Sequence, residues 1–297
     1  MKIKKVGVIY GGKSSEREIS LKTGKAIADA LEKEGYIVKL LDPGKRDFVK
    51  ELLVSKIEFA FIALHGPGGE DGSMQGFLET LGIPYNGSGI LASALAMNKI
   101  YSKKMFVSAD IKTPKWYVIT SHSALTTNHL PLPVVIKPVR QGSAIGVNIV
   151  RKKSQLMKAI KEALKYDNEA IVEEYIEGKE ITVAILGDKA LTPIEIIPKN
   201  EFYDFYSKYS SGGSQHIIPA RLTNAITEKV KKIGLMAHYS LGCNAVSRVD
   251  MIADRKGNIY VLEVNTIPGM TSTSLLPDAA KYDGISFGKL LNKIINY

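Results

Sequence analysis

Three short apolar segments, Lys4 to Tyr10, Tyr36 to Leu41 and 57–64, open the chain, and amphipathic stretches of helical period separate them. This alternation constrains the fold more than any other feature. Parallel strands need crossovers of a dozen or more residues, and helices usually supply them. Ser20 to Glu34 fits the first crossover, with Ile27, Ala30 and Leu31 on one face, and a shorter helix is expected over 46–55. With further helices near 73–81 and 88–97, the spacing predicts a small doubly wound α/β unit.

After Met97 the pattern becomes α+β. A helix is expected near 98–108, strands over 115–120, 133–138 and 146–151, a helix over 154–166 and a strand over 169–176. The last third reads as strands 179–187 and 190–197, a polar and aromatic stretch from Asn200 to Gln215, and a helix over 223–240. Two strands across Asp254 to Asn258 and a C-terminal helix close it. Domain boundaries are expected at 1–97, 98–178 and 179–297, which suits 297 residues at roughly 100–200 per domain. There is no internal repeat.

Composition excludes several function classes. The longest apolar run, Phe59 to Leu64, is far short of the ~20 residues that span a bilayer. Lys2, Lys4 and Lys5 precede only Val6 to Tyr10 before Gly11-Gly12, too short for a signal-peptide core, so a cytoplasmic chain with no membrane partner is expected. One cysteine, Cys243, and five scattered histidines offer neither a disulfide nor a zinc cage. The net charge of +10 comes from 33 lysines and only seven arginines, spread along solvated helix faces such as Lys158, Lys161 and Lys165. With no aromatic RNA-binding motif or basic stripe, no nucleic-acid partner is expected.

Gly7 to Ser14 satisfies the P-loop expression G-x-x-x-x-G-K-[ST] letter for letter. A phosphate cradle needs the intervening residues to leave the strand, whereas Val8, Ile9 and Tyr10 belong to it. Gly11-Gly12 is better read as a tight strand exit, leading to Glu16 at a crevice.

The strongest chemical signal is the pair Arg248-Val249-Asp250 and Glu263-Val264-Asn265. Polar residues two apart share one strand face, and the valines take the other. With a two-residue turn at Lys256-Gly257, Asp250 lies opposite Glu263 and Arg248 opposite Asn265; a three-residue turn breaks this unless a bulge restores it. Two carboxylates and an amide oxygen suit Mg²⁺, and an arginine beside them suits phosphoryl transfer. Lys137 ends an apolar strand before a loop with Gly142, Ser143 and Gly146, a pattern that can cover nucleotide phosphates. Glu173, Glu174, Tyr175 and Ile176 can offer backbone groups to an adenine, and Glu180 a carboxylate to a ribose. His65 to Gly72 follows the third strand at its ligand-binding end, and Gly269 with Thr271 to Ser274 offers anion donors.

In that order, these segments resemble the D-alanine–D-alanine ligases of the ATP-grasp superfamily over nearly the whole chain. The likeness rests on Ser15 to Ser20, His65 to Gly76, Gly87-Ser88-Gly89, Met97-Asn98-Lys99, Lys137-Pro138, Gly142-Ser143, Phe202-Tyr203-Asp204, Lys208-Tyr209 and the two tripeptides, with Pro268 to Thr271 and Ser274-Leu275. It implies two α+β domains that sandwich ATP, and ADP-forming ligation of two D-alanines through an acyl phosphate, for peptidoglycan. Glu16 would hold the first ammonium and His65 its carboxylate. Lys99, Lys137 and Lys208 would contact ATP phosphates. Asp250, Glu263 and Asn265 would bind two Mg²⁺, with Mn²⁺ as a substitute. Arg248 and the Gly269 N–H would stabilise the oxyanion, and Ser274 with the Leu275 N–H would take the second carboxylate. Tyr209, Ser143 and Glu16 would tie a lid over 200–217 to the site. A homodimer is also implied.

Three departures from the family pattern fall at four positions. Ala144 stands where a second serine is common, Gln141 where a glutamate is, and Asn244-Ala245 where a basic residue and glycine are. Two rival readings are a related ligase making D-alanyl-D-lactate, which the residue at 209 would distinguish, and a non-catalytic nucleotide- or RNA-binding protein, which the intact Arg248, Asp250, Glu263 and Asn265 oppose.

Overall fold

The computed structural model describes residues 3–120, 131–198, 213–271 and 274–297. Strands β1 (Lys5–Ile9), β2 (Ile37–Leu41) and β3 (Phe59–Ile62) form a parallel sheet in the order β2-β1-β3. Helix α1 (Arg17–Lys33) makes the first crossover and buries Ile27, Ala28 and Leu31. Central β1 buries Val6, Val8 and Ile9 completely, as expected of a parallel strand covered on both faces. Helices α2 (Phe48–Ser55), α3 (Ser73–Thr80) and α4 (Ile90–Met97) follow the α/β spacing.

Helix α5 (Lys99–Ser108) starts one residue after α4 ends. Asn98 explains the break: its side chain accepts the Ile100 and Tyr101 N–H groups at 3.1 and 3.2 Å, an N-cap that restarts the helix. A second, antiparallel sheet has the order β4-β7-β5-β6, from β4 (Trp116–Thr120), β5 (Val134–Pro138), β6 (Asn148–Val150) and β7 (Glu169–Glu174). Helix α6 (Lys153–Ala163) covers it, packing Leu156, Ala159 and Ile160 on Val134, Ile136 and Val172.

The third sheet runs β11-β10-β8-β12-β13, with β9 on β8. Its strands are β8 (Gly178–Leu186), β9 (Lys189–Ala190), β10 (Ile194–Pro198), β11 (Ser214–Ile217), β12 (Val246–Asp254) and β13 (Ile259–Asn265). Helix α7 (Asn224–Ser240) packs Val230 and Ala237 against Val183, Met251 and Val261. The single strand expected over 190–197 is two strands, separated before Pro193, which has no N–H for a ladder. The single C-terminal helix is also two, α8 (Leu275–Tyr282) and α9 (Phe287–Ile295), parted by Gly284 at φ +78° and a Ser286 N-cap.

One core joins the two ends of the chain. Leu290, Leu291 and Ile294 of α9 belong to the same buried cluster as Ile27 and Leu31 of α1 and Val6 and Val8 of β1. Tyr36 Oη donates to Asn292 Oδ1 at 2.7 Å, and Asn292 Nδ2 donates to Glu34 at 2.7 Å. Among the described residues, no helix is long and apolar enough to cross a membrane.

Candidate active site

The loop after β1 is built around Asp42. Its carboxylate accepts the Gly12 and Gly44 N–H groups at 3.0 and 2.8 Å and two Arg17 donors at 3.0 and 2.7 Å. Arg17 first, then these N–H groups, outweigh burial and hold the Asp42 pKa at about 2. The Gly11 N–H goes to Ser20 Oγ at 2.8 Å. Both glycine donors are therefore engaged within the protein, and the P-loop expression makes no phosphate cradle here.

This loop delivers Glu16 to the N-cap position of α1, buried and facing a cleft. The Ser143 hydroxyl donates to its carboxylate in a very short hydrogen bond. A Cβ on Gly142 would lie 2.9 Å from Glu16 Oε1, so any larger residue there would have to displace the Glu16 carboxylate. Ser143 and Ala144 both have positive φ, +51° and +58°, a strained left-handed pair in the loop that meets Glu16. His65 is buried beside them, its Nε2 3.2 Å from Thr23 Oγ1 and its Nδ1 3.8 Å from Glu70, which accepts the Gly66 N–H at 2.9 Å. The same cleft is lined by Lys99, Arg248, Glu263, Asn265, Gly269, Ser274 and Leu275. Leu275 is the first residue of α8, where helical N–H groups have no carbonyl partner within the helix and favour an anion. Ser274 Oγ accepts the Thr271 N–H at 3.0 Å.

The β12–β13 hairpin pairs Arg248 with Asn265, Val249 with Val264 and Asp250 with Glu263, the register expected from the sequence. It gets there differently. No two-residue turn forms at Lys256-Gly257; beyond Asp250 the register shifts by one, pairing Met251 with Val261 and Ala253 with Ile259. The odd turn, closed by the Asp254 N–H on Asn258 O at 2.9 Å, is compensated by a bulge at Leu262. Asp250 accepts Thr182 Oγ1 at 2.6 Å and Arg248 Nε and Nη2 at 3.1 and 3.0 Å. Asn265 Oδ1 accepts the Ile267 N–H at 2.9 Å. Among the described residues no group of three or more His, Cys, Asp or Glu is placed to hold a metal ion by itself. Two carboxylates and an amide oxygen on one strand face fit Mg²⁺, which commonly takes one or two carboxylates and completes its shell with phosphates and water.

A second cavity, of about 560 Å³, lies between the second and third sheets and is within the ~300–1,000 Å³ of ligand pockets. Lys137, Glu173 to Ile176, Glu180 and Asp250 line it, and Lys99, Gln141 and Glu263 border both cavities. Lys99 is buried at the N-terminus of α5, donates to Gln141 O at 2.7 Å and stands 3.5 Å from Glu263. A cation at a helix N-terminus opposes the helix dipole, a cost that an anion placed there removes. Glu173 is clamped between Lys137 at 2.6 Å and Lys103 at 3.1 Å. Burial opposes the Lys137 ammonium, but Glu173 and Glu263 outweigh it and raise its pKa; the two lysines likewise outweigh burial at Glu173 and lower its own.

The structure thus brings Glu16, His65, Lys99, Lys137, Ser143, Glu173 to Ile176, Glu180, Arg248, Asp250, Glu263, Asn265, Gly269, Ser274 and Leu275 around two adjoining cavities. Lys208 and Tyr209 lie outside the described residues, as does 200–212 of the expected lid; its residues 214–217 form β11. Sequence reasoning missed Lys103, although it stands four residues after Lys99 on the same helix face. It also missed Thr182, whose place opposite Asp250 depends on the β8–β12 register, and the Arg221–Glu195 pair at 2.6 Å beside the second cavity. Of the departures, Ala144 lines the nucleotide-sized cavity, Gln141 donates to Tyr166 O at 3.0 Å, and Ala245 has φ +55°, which accounts for a preference for glycine there.

Two α+β sheets closing on a cavity of lysines and carboxylates, preceded by a parallel α/β unit, define an ATP-grasp ligase fold. The family models for the D-ala D-ala ligase C-terminus and N-terminus match residues 105–296 and 42–88. A D-alanine–D-alanine ligase of Citrifermentans bemidjiense is 50% identical over 295 residues, covering 99% of this chain and 96% of the relative. The crystal structure of the Bacillus anthracis D-alanine–D-alanine ligase complexed with ATP superimposes with a TM-score of 0.87 at 37% identity, covering 99% of this chain and 96% of that one. The VanG D-Ala:D-Ser ligase of Enterococcus faecalis gives 0.86 at 30% identity, with 99% of each chain covered. The chain belongs to the D-alanine–D-alanine ligase family.

Proposed function

We propose that this chain joins two D-alanine molecules to D-alanyl-D-alanine at the expense of ATP, releasing ADP and phosphate, for peptidoglycan synthesis in the cytoplasm. The observation that carries the reading is the meeting of the two cavities at Lys99 and Glu263, with Glu16 and Ser143 across the first. A small amino acid held by Glu16 and His65 would present its carboxylate toward a nucleotide in the second cavity. Attack on the γ-phosphate gives an acyl phosphate and ADP. The amine of a second D-alanine, its carboxylate at Ser274 and the Leu275 N–H, then adds to the acyl carbon. The developing oxyanion sits against Arg248 and the Gly269 N–H, and phosphate leaves as the amide forms. Lys99, Lys137 and Lys208 hold phosphate oxygens, the backbone of Glu173 to Ile176 meets the adenine, and Glu180 the ribose. Asp250, Glu263 and Asn265 would hold Mg²⁺, as two ions or their Mn²⁺ equivalents, which supply neutralisation of the triphosphate. Tyr209 anchors the lid through Ser143.

The family relationship and the sheet boundaries support two further elements of this reading. Domains end at 97 and 178: the first two sheets take their strands from within 1–97 and 98–178, and the third sheet begins at Gly178 itself. The chain pairs as a homodimer, for which the exposed Ile37, Leu53 and Val54 on β2 and α2 offer an apolar edge. Analytical ultracentrifugation tests the dimer. ADP release tests the activity: it should require ATP, Mg²⁺ and D-alanine together, with D-alanyl-D-alanine as the product by mass spectrometry. Release at the same rate without D-alanine, or a preference for D-serine or D-lactate as acceptor, would refute it.

A further inference from the structure

Lys103 is used by none of the steps above, yet its side chain is wholly inaccessible to solvent. Isolated burial of an ammonium costs several kcal/mol, so its partners must explain it. From α5 its Nζ lies 3.1 Å from Glu173 Oε1, donates to Thr113 Oγ1 at 2.5 Å and to Pro114 O at 3.3 Å, and stands 5.6 Å from the Trp116 ring centroid. The other oxygen of the same carboxylate meets Lys137 Nζ at 2.6 Å. Lys137 and Glu173 border the nucleotide-sized cavity, whereas Lys103 borders neither cavity.

Without Lys103, Glu173 and Lys137 would form a closed pair of zero net charge. Sharing the carboxylate changes that balance. We propose that Lys103 is a positioning residue: by taking half of Glu173, it leaves the buried triad with one net positive charge and keeps Lys137 available to an anionic nucleotide. The proposal rests on the reading that this cavity takes ATP with Lys137 at its phosphates.

The groups facing Lys103 are Glu173 from β7, Lys137 from β5, Lys99 from its own helix, and Thr113, the Pro114 carbonyl and Trp116 from the segment entering β4. Burial first, then the neighbouring lysines, against the pull of Glu173, bring its pKa down to about 8. Lys137 stays charged and Glu173 ionised through that range, so the triad passes from +1 toward zero as pH rises from 7 to 9.

The test is steady-state kinetics of the full chain with ATP and D-alanine. Lys103→Met should raise the KM for ATP about tenfold while kcat and the KM for D-alanine stay within about twofold. The double variant Lys103→Met with Glu173→Gln restores one net positive charge and should bring the ATP KM back to within about threefold of wild type. A purely structural lysine predicts lost stability, no selective change in the ATP KM and no rescue, and that result overturns the proposal. Should the single variant fail to fold, the wild-type ATP KM must still rise between pH 7 and 9 while the double variant stays flat, and a flat wild-type profile overturns it. Lys137→Met separates the two readings: an unaltered ATP KM there refutes the cavity assignment itself, whereas a raised one beside a neutral Lys103→Met refutes the role of Lys103 alone.

Discussion

Replacing Asp42 with asparagine isolates the charge that organises the loop bearing Glu16. The carboxylate has a pKa near 2 against an ordinary 3.8, and its side chain is almost fully buried. At 1.36 kcal/mol per pH unit, the difference corresponds to about 2 kcal/mol of stability. Because the folded pKa is depressed, that contribution is fully present above pH 4 and is lost as pH falls through 2, with roughly half gone at pH 3. Asparagine keeps one acceptor for Gly12 and Gly44 but turns an N–H₂ toward Arg17 Nη2, now 2.7 Å from Oδ2. We expect Asp42→Asn to unfold about 2–4 kcal/mol more easily at pH 7. Urea denaturation followed by circular dichroism at pH 7, 4 and 3 measures it, and the gap between wild type and variant should narrow by about 1 kcal/mol at pH 3. A gap below about 0.5 kcal/mol at pH 7, or one that does not change with pH, would refute the reasoning. The KM for D-alanine should also rise, since Glu16 follows Gly12 by four residues.

Other substitutions test the site more directly. Glu263→Gln should abolish product formation by leaving the metal and triphosphate under-neutralised, and wild-type turnover would remove Glu263 from the metal site. Arg248→Ala should lower kcat by about 10²–10³, the ~2.7–4 kcal/mol typical of an oxyanion donor, and a change confined to the ATP KM would contradict that role. Ala245→Gly should stabilise the fold by about 0.5–1 kcal/mol, because release of the left-handed strain exceeds the added chain entropy; a lower melting temperature would disprove it.

Periodicity carried most of the architecture. β1 to β3 and α1 follow from apolar spacing alone, and the Arg248–Asn265 and Asp250–Glu263 pairs follow from alternation on two strands. The turn was the weak point, since alternation reports which face a residue takes and not how many residues close the hairpin. Its true shape needs a bulge at Leu262 that no turn residue announces. Breaks in long elements were missed for a related reason: Pro193 and Gly284 are local interruptions inside patterns that otherwise continue. Among the described residues, those named from motifs for the site face the two cavities, whereas Lys103 and Thr182 serve those residues from behind. Their significance lies in partners 70 and 68 positions away, a distance that spacing arguments do not reach.

The packing of α9 on α1 and β1 has a kinetic consequence. Helix α1 shares its buried cluster with β1 and β3 on one side and with residues 290–295 on the other, and Tyr36 and Asn292, hydrogen-bonded in the native state, are 256 positions apart. During synthesis at about 5–20 residues per second, the N-terminal sheet must wait on the order of ten seconds or more after emerging before its cover exists. Through that interval Ile27, Leu31 and Val8 lack the C-terminal part of their final cover, so the half-made chain is a substrate for chaperones and for aggregation. The second sheet, whose strands and helix all fall between 116 and 174, can close its own core in the meantime.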